Sequence, residues 1–458
     1  MNVYSNILDM VGGTPLLEVT RLDTGPCRLF LKLELLNPGG SIKDRIGISM
    51  IAEAEKRGDI QPGDTLVEAT AGNTGLGLAL VAAQKGYRLI LVLPDKMSQE
   101  KIFNLRAMGA EVVLTRSDVG LGHPEYYQDL GRRIAEERGA YFINQFGNPD
   151  NPLAHEQTTG PEIVEQMGGD VDAIVLGVGS SGTVSGLSKY LAAHAPGVEL
   201  VLADPAGSVL ADYINKGELG EGGSWLVEGI GEDFIPSIAD FSKVTTAYSI
   251  SDAESFAAAR ELLKTEGLLA GSSSGTLLAA ALRYCREQTE PKRVVSFACD
   301  TGNKYLSKLY NDFWMEDQGF IQREQHGDLR DLIGRPHDER ATITVGPSDV
   351  LTTAHNRLRN AGFSQLPVMD EGKLVGVVTE DAIIQYVFGK PELMNSPVES
   401  AMESAFIQLD KETSVNNLVA MLHVQPYAAI MDEEIFLGLI TRSDVLNYLR
   451  RQIQDTAA

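Results

Sequence analysis

With 458 residues, 43% hydrophobic and 22% charged, the chain has a globular composition and the length for two or three domains, each with its own core. A formal net charge of −24 argues against nucleic acid, whose phosphates require clustered lysine and arginine, and no apolar run reaches the roughly 18 residues that cross a bilayer. Cys27, Cys285 and Cys299 form no Cys-x-x-Cys pair, which argues against disulfides or a metal site, and the absence of a signal-peptide plan makes a cytoplasmic location the expectation.

The run from Arg28 to Leu33 reads as a strand, broken by Asn37-Pro38-Gly39-Gly40. Ser41 can cap a helix through Ile46, Ile48, Met50 and Ile51, which puts Lys43 in its first turn. A lysine there is usually a solvated charge. Held at a turn, it can also form a Schiff base with a carbonyl cofactor, and Lys43 is the candidate for that role. Next come a strand at Thr65-Leu66-Val67, the polar stretch Glu68 to Gly75, and a helical run from Leu76 to Ala83. That stretch reads as a turn with a threonine cap or as an anion site. Thr70, Thr74 and the local amides suit a carboxylate, and Asn73 carries a donor for a phenolic oxygen.

Short apolar runs recur at 88–93, 111–114, 174–176, 199–202 and 294–297, interleaved with helical patterns, which predicts an α/β core built on parallel sheets. The run at 174–176 enters Gly177-Val178-Gly179-Ser180-Ser181-Gly182-Thr183, which opens a helix through Leu187, Tyr190 and Leu191. Small residues let backbone N–H groups and hydroxyls converge on a phosphate at such a helix start. Ala270-Gly271-Ser272-Ser273-Ser274-Gly275-Thr276 begins another helix, and Cys299, beside Asp300-Thr301-Gly302, reads as a small buried residue.

From Glu316 to about Glu339 the chain turns polar and reads as a linker. An internal repeat follows. Leu366 to Asp370, Leu374 to Thr379 and Asp381 to Ile384 are echoed by Ala428 to Asp432, Phe436 to Thr441 and Asp444 to Leu446, with a period of roughly 60 residues. The predicted organisation is a core over 1–315, a linker over 316–340, and repeats over 341–395 and 396–458.

Taken together and in this order, the segments around Lys43, Asn73, Gly179 to Thr183 and Ser273 resemble the fold type II pyridoxal-phosphate enzymes of the cysteine synthase and cystathionine β-synthase branch. The resemblance implies an α/β core of parallel sheets flanked by helices, carrying pyridoxal 5'-phosphate on Lys43, which is also the catalytic base. It implies further that Asn73 bonds the cofactor's ring oxygen and that Gly179, Ser180, Ser181, Gly182 and Thr183 hold its phosphate. Ser273 would face the pyridine nitrogen, where a neutral hydroxyl favours loss of a β-substituent. Substrate contacts would fall to Thr70, Ala71, Thr74, Gln145 and Gly229, with His155 structural. The chain departs from the family pattern at Ser181, where glycine is usual, at Ala71, where serine is more frequent, and at Glu232, where animal members carry an aromatic residue.

The C-terminal repeat resembles a tandem pair of CBS domains, a βαββα module that often binds adenosine-containing ligands. In that module a threonine followed three residues later by aspartate holds a ribose. Thr441 and Asp444 fit, whereas Asp381 follows Thr379 by only two, so one ligand such as S-adenosylmethionine is implied, against a pair that serves only dimer packing. A core joined to this pair, with Val227 to Pro236, favours the cystathionine β-synthases among the β-replacing enzymes. The implied reaction condenses L-serine with L-homocysteine to give cystathionine and water, in transsulfuration and cysteine biosynthesis, by a homodimer or higher homo-oligomer. The start of the chain at Asn6 to Pro15 leaves no haem extension, so no haem is expected. The alternatives are a cysteine synthase using O-acetylserine and sulfide, and a catalytically inactive sensor of adenosine nucleotides.

Overall fold

The computed structural model describes residues 3–70, 72–120, 122–322, 324–338 and 341–457, and the chain divides into two compact units, Met1–Asn311 and Asp312–Ala458. Two sheets build the first unit. The larger runs in the order β1 (Leu16–Glu18), β2 (Arg28–Lys32), β10 (Arg293–Phe297), β7 (Ala173–Gly177), β8 (Glu199–Pro205) and β9 (Val244–Ile250), parallel throughout except for the β1/β2 pair. The smaller is wholly parallel, in the order β5 (Glu111–Thr115), β4 (Arg88–Pro94), β3 (Thr65–Ala69) and β6 (Tyr141–Phe142).

Helices α1 (Lys43–Arg57), α2 (Asn73–Lys85), α3 (Gln99–Ala107), α4 (Gly182–His194) and α5 (Ser272–Arg286) matter for the site. Ile46, Met50, Ile51 and Ala54 recur at helical spacing and pack from α1 into one core with Leu76, Leu78 and Leu91. This burial fixes the first turn of α1, and with it Lys43. Leu66, Val67, Ile174, Val175, Val294 and Val295 are buried to the last few per cent of their surface, as a sheet covered on both faces requires. Parallel strands put all their carboxyl ends on one side. There β3 leads to Thr70 and α2, β7 leads to Gly179 and α4, and β10 leads to Cys299 and Asp300.

In the second unit β11 (Gln365–Asp370) pairs antiparallel with β12 (Lys373–Thr379), and β13 (Tyr427–Asp432) pairs the same way with β14 (Ile435–Thr441). Both hairpins carry an irregularity at the same place, Val368/Met369 and Ile430/Met431, and both turn on a glutamate with positive φ, Glu371 and Glu433. The repeat seen in the sequence is thus a repeat of backbone geometry. The stretch expected to be a linker behaves otherwise: Leu329, Leu332 and Ile333 are buried in one cluster with Leu418, Ala428, Ile430 and Ile440. Three apolar side chains spaced along a polar segment suffice to seat it in a core, a pattern too short for periodicity to reveal. Helix Asp312–Asp317 likewise falls within the second unit.

Candidate active site

Asn37 sets the turn before Lys43. Its Nδ2 donates to the Glu34 carbonyl, the Glu34 carboxylate and the Ser41 carbonyl. Gly39 N–H then donates to Asp44 Oδ2 at 2.5 Å, and a β-carbon at position 39 would stand 2.5 Å from Asp44 Oδ1, so the close approach requires glycine. Burial raises the Asp44 carboxyl to about 7, against the opposing pull of that N–H. Ser41 is not the cap expected from the sequence: Ile42 takes that position without a side-chain bond, the helix begins at Lys43, and Ser41 Oγ accepts from Lys43 N–H at 3.2 Å from one residue further out. The Lys43 side chain is half-buried and has no hydrogen-bond or ion-pair partner among the described residues. It lines a cavity of about 310 Å³. Burial pushes its ammonium below the ordinary lysine range, opposed by Cys299 and Glu232.

Three helix starts converge on this cavity, whose lining includes Asn73, Ser180 to Thr183, and Ser273. At the start of α4, Ser181 has φ of 65°, in the left-handed region that favours glycine, and its Oγ donates to the Ser180 carbonyl at 2.6 Å. This gives the family's usual glycine at that position a physical reason. Gly182 abuts Asn151 so closely that a β-carbon would fall 1.8 Å from Oδ1, an oxygen buried without a partner among the described residues. Asn151 Nδ2 meanwhile donates to Ser180 Oγ at 3.0 Å and to the Gln145 carbonyl at 2.8 Å. His155 supports the same loop from beneath. Its Nε2 lies 3.3 Å from Thr183 Oγ1, its Nδ1 lies 2.9 Å from Thr159 Oγ1, and burial with the nearby Arg45 and Lys43 cations drives its pKa well below the usual value. A narrow cradle of amides and hydroxyls at a helix start suits a phosphate, and a neutral, buried histidine suits a structural part.

The loop after β3 is held at several points. Gly72 N–H donates to Thr70 Oγ1 at 3.0 Å, Thr74 Oγ1 donates to Gln145 Oε1 at 2.8 Å, and Gln145 Nε2 donates to the Ala69 carbonyl at 3.0 Å. Gln145 is therefore a brace for the loop as well as part of the cavity lining. Ala71, assigned to substrate from the sequence, lies outside the described residues. Gly229, also lining the cavity, has φ of 90°. Ser273 is almost fully buried beside Cys299, whose thiol burial and Asp300 raise to about 12, so that the thiol is not a nucleophile at neutral pH.

Sequence reading missed a polar network behind these residues. Lys101 is fully buried and bonds Glu228 Oε2 at 2.7 Å and the Tyr305 hydroxyl at 2.9 Å, while Lys308 bonds the other Glu228 oxygen at 2.6 Å. Tyr305 donates to Asp300 Oδ2 at 2.7 Å, and Asn73 Nδ2 donates to the same oxygen at 2.8 Å. No motif marks Lys101, Tyr305 or Lys308, because single charged and aromatic residues at scattered positions look like solvated or core groups until the fold joins them, and the segments that hold Asn73 and Glu228 do not announce this cluster. The further sequence cue was Asp300 at the end of a strand.

Glu232, one of the three positions of departure, lines the cavity with its carboxyl unpartnered among the described residues. Burial and the neighbouring Asp233 push its pKa well above the usual carboxyl value, with Lys43 opposing.

A model of the pyridoxal-phosphate dependent enzymes matches residues 7–300, and a CBS-domain model matches residues 338–389. The chain belongs to the fold type II pyridoxal-phosphate enzymes. Within them it is a member of the cysteine synthase and cystathionine β-synthase family, with a C-terminal pair of CBS domains. It is 36% identical to a cystathionine β-synthase of Dictyostelium discoideum over 99% of this chain and 93% of that one, and 35% identical to that of Saccharomyces cerevisiae over 97% of each. A Staphylococcus aureus cysteine synthase is 39% identical but covers 66% of this chain. Among solved structures, an O-acetylserine dependent cystathionine β-synthase from Helicobacter pylori matches with 38% identity and a TM-score of 0.63, over 67% of this chain and 99% of its own. The chain is accordingly a PLP-dependent β-replacement enzyme of the lyase class, in amino-acid metabolism related to cysteine and transsulfuration.

The second unit has its own cavity, of about 510 Å³, lined by Arg335, Phe363, Pro367, Leu439, Thr441 and Asp444 among others. Asp444 Oδ2 accepts from the Thr441 N–H at 2.7 Å and from its hydroxyl at 2.5 Å, which caps helix α6 (Arg442–Ala457). The Arg335 guanidinium lies 4.4 Å from the Phe363 ring centre and 5.5 Å from that of Phe313. In the first copy Thr379 caps its helix by accepting from Ala382 N–H, and Asp381 takes no part in that cap. No helix among the described residues is long and apolar enough to cross a membrane, and no cluster of metal-ligating side chains occurs among them.

Proposed function

We propose that the enzyme condenses L-serine with L-homocysteine to form L-cystathionine and water. The observation that carries this reading is the unpartnered amine of Lys43 in a cavity bounded by three helix starts, joined to the likeness to named cystathionine β-synthases over nearly the whole chain. The cradle at Ser180 to Thr183 fits the phosphate, Asn73 the ring oxygen, Ser273 the pyridine nitrogen, and Lys43 the covalent link. When bound, pyridoxal phosphate acidifies the α-proton of an amino acid and lets a β-substituent leave.

Lys43 Nζ takes the proton from Cα, and its ammonium form donates to the departing β-hydroxyl, which leaves as water. The Lys43 amine then takes the thiol proton of homocysteine as the sulfur bonds to Cβ, and the ammonium so formed returns that proton to Cα. Thr70, Thr74 and the amides at the start of α2 hold the serine carboxylate, with Gln145 and Gly229 completing the pocket. Burial favours the neutral acid of Glu232, and the ammonium group of homocysteine, which sulfide lacks, would draw it to the carboxylate on binding. A test is the kcat/KM matrix for serine and O-acetylserine as donors against homocysteine and sulfide as acceptors. Preference for serine with homocysteine supports the reading; preference for O-acetylserine with sulfide overturns it in favour of a cysteine synthase. The Helicobacter pylori relative, by its name, uses O-acetylserine to make cystathionine, so the two halves of the matrix are judged separately.

In the second unit Thr441 and Asp444 would hold the ribose of one adenosine-type ligand, such as S-adenosylmethionine, with Asp444 exchanging its cap for the two hydroxyls. Acting as a cytoplasmic homodimer completes the proposal, and light scattering of the purified chain tests the oligomer.

A further inference from the structure

Lys304, in the short turn Gly302–Lys304 after β10, is 3% exposed, yet no carboxylate pairs with it among the described residues. Its ammonium donates instead to three neutral oxygens: the Gly39 carbonyl at 3.0 Å, the Gly40 carbonyl at 3.2 Å and Asn73 Oδ1 at 3.0 Å. An ammonium has three N–H bonds, and all three are used. Asp300 and Asp44 act on the Lys304 ammonium only from a distance and burial still lowers its pKa to about 8, so burying this cation is unfavourable and stability alone does not account for a lysine at this position. Its contacts do have a common theme. Gly39 and Gly40 form the turn that delivers Lys43, and Asn73 opens α2 at the cavity.

The orientation of the Asn73 amide follows from the chemistry of its neighbours. Lysine only donates and an ionised carboxylate only accepts, so Oδ1 faces Lys304 and one N–H faces Asp300 Oδ2. One N–H of Asn73 is left for the cavity, which Asn73 lines.

We propose that Lys304 is a positioning residue that fixes the Lys43 turn and the Asn73 amide in a single arrangement, so that the covalent link to the cofactor and the donor to its ring oxygen are set together. The inference rests on assigning Lys43 and Asn73 to pyridoxal phosphate. That assignment is checked separately by borohydride trapping of the parent enzyme: absence of a label at Lys43 refutes the assignment whatever Lys304 does.

The test is Lys304→Met, which keeps length and removes every donor. The dissociation constant of pyridoxal phosphate is measured on the apoprotein by fluorescence quenching, the absorption maximum of the bound cofactor is recorded, and both are repeated for Asn73→Ala and for the double variant. Losing hydrogen bonds from a charged donor predicts roughly ten- to a hundredfold weaker cofactor binding and a shifted maximum for Lys304→Met. The double variant is expected to weaken binding by less than the product of the two single effects, because part of the Lys304 effect passes through Asn73. Unchanged affinity and spectrum, or strictly multiplicative effects, would overturn the proposal. Should the methionine variant fail to fold, Lys304→Gln, which retains an amide donor but no charge, carries the same measurements.

Discussion

Lys43 and Thr441 each stand at the mouth of a helix and each face a cavity, yet their surroundings differ in kind. Around Lys43 the supporting groups are held at several points each: Gln145 is bonded at both ends of its amide, Asn73 is held from two sides, and Lys304 uses all its donors. The groups placed to react, Lys43 and Glu232, are left without partners among the described residues. Around Thr441 the functional pair is bonded to itself, and Arg335 lies close to two aromatic rings. A catalytic cavity keeps its reactive group free by locking everything else, since a geometry that must be assembled during the reaction forfeits rate. A ligand cavity can hold its groups in a closed state and exchange those bonds on binding, at the cost of some affinity.

Removing the free amine is the most severe way to break this contrast. Lys43→Ala is expected to retain pyridoxal phosphate through the cradle at Ser180 to Thr183 while turnover falls by at least about 10²–10⁴, the usual loss for one acid–base group. Steady-state rates and borohydride labelling check it, and turnover near the parent level would remove Lys43 from the mechanism.

A second prediction concerns the locked scaffold. Glu68 on β3 is fully buried against Gln145, and burial raises its carboxyl to about 8, opposed by the Gln145 N–H bonds. The folded state therefore holds a proton that the unfolded chain releases between about pH 4.5 and 8, so this residue's contribution to stability declines as pH rises across that window and is level above it. Glu68→Gln should flatten the decline, gaining a few kcal/mol relative to the parent between pH 5 and pH 8. Urea unfolding at those two values decides it; parallel curves for the two proteins would show that Glu68 is not protonated in the fold.

Glu232→Gln sharpens the comparison from inside the cavity. Losing the carboxyl that ionises as the homocysteine ammonium approaches should raise KM for homocysteine roughly ten- to a hundredfold, with sulfide use hardly changed. An equal loss with both acceptors would assign Glu232 to general architecture.

On the other side of the contrast, Asp444→Ala should weaken an adenosine-type ligand about tenfold, as calorimetry with S-adenosylmethionine, ATP and AMP on the full chain would show. No heat with the parent chain would leave the Thr441–Asp444 pair as a helix cap alone. The smallest effect expected is that of Ser181→Gly, which relieves a left-handed residue and should stabilise the fold by about 1 kcal/mol, read as a rise in Tm. A fall would mean that the Ser181 hydroxyl outweighs its backbone cost.

What the sequence determined by itself was local and periodic: the strand runs that make the parallel sheets, the loop-to-helix junctions at Asn73, Gly179 and Ser273, and the repeated hairpins after residue 341. Each is written in neighbouring residues, where alternation, small side chains and turn chemistry act over a few bonds. The turn before Lys43 was legible for the same reason. Only the tertiary structure decided that Lys304 ties that turn to Asn73, that Lys101, Lys308 and Glu228 form one buried cluster, that Gln145 braces the loop after β3, and that Leu329, Leu332 and Ile333 belong to a core. These contacts join residues far apart in the chain, and whether a lysine is a solvated charge or a buried donor depends on which oxygens the fold brings to it.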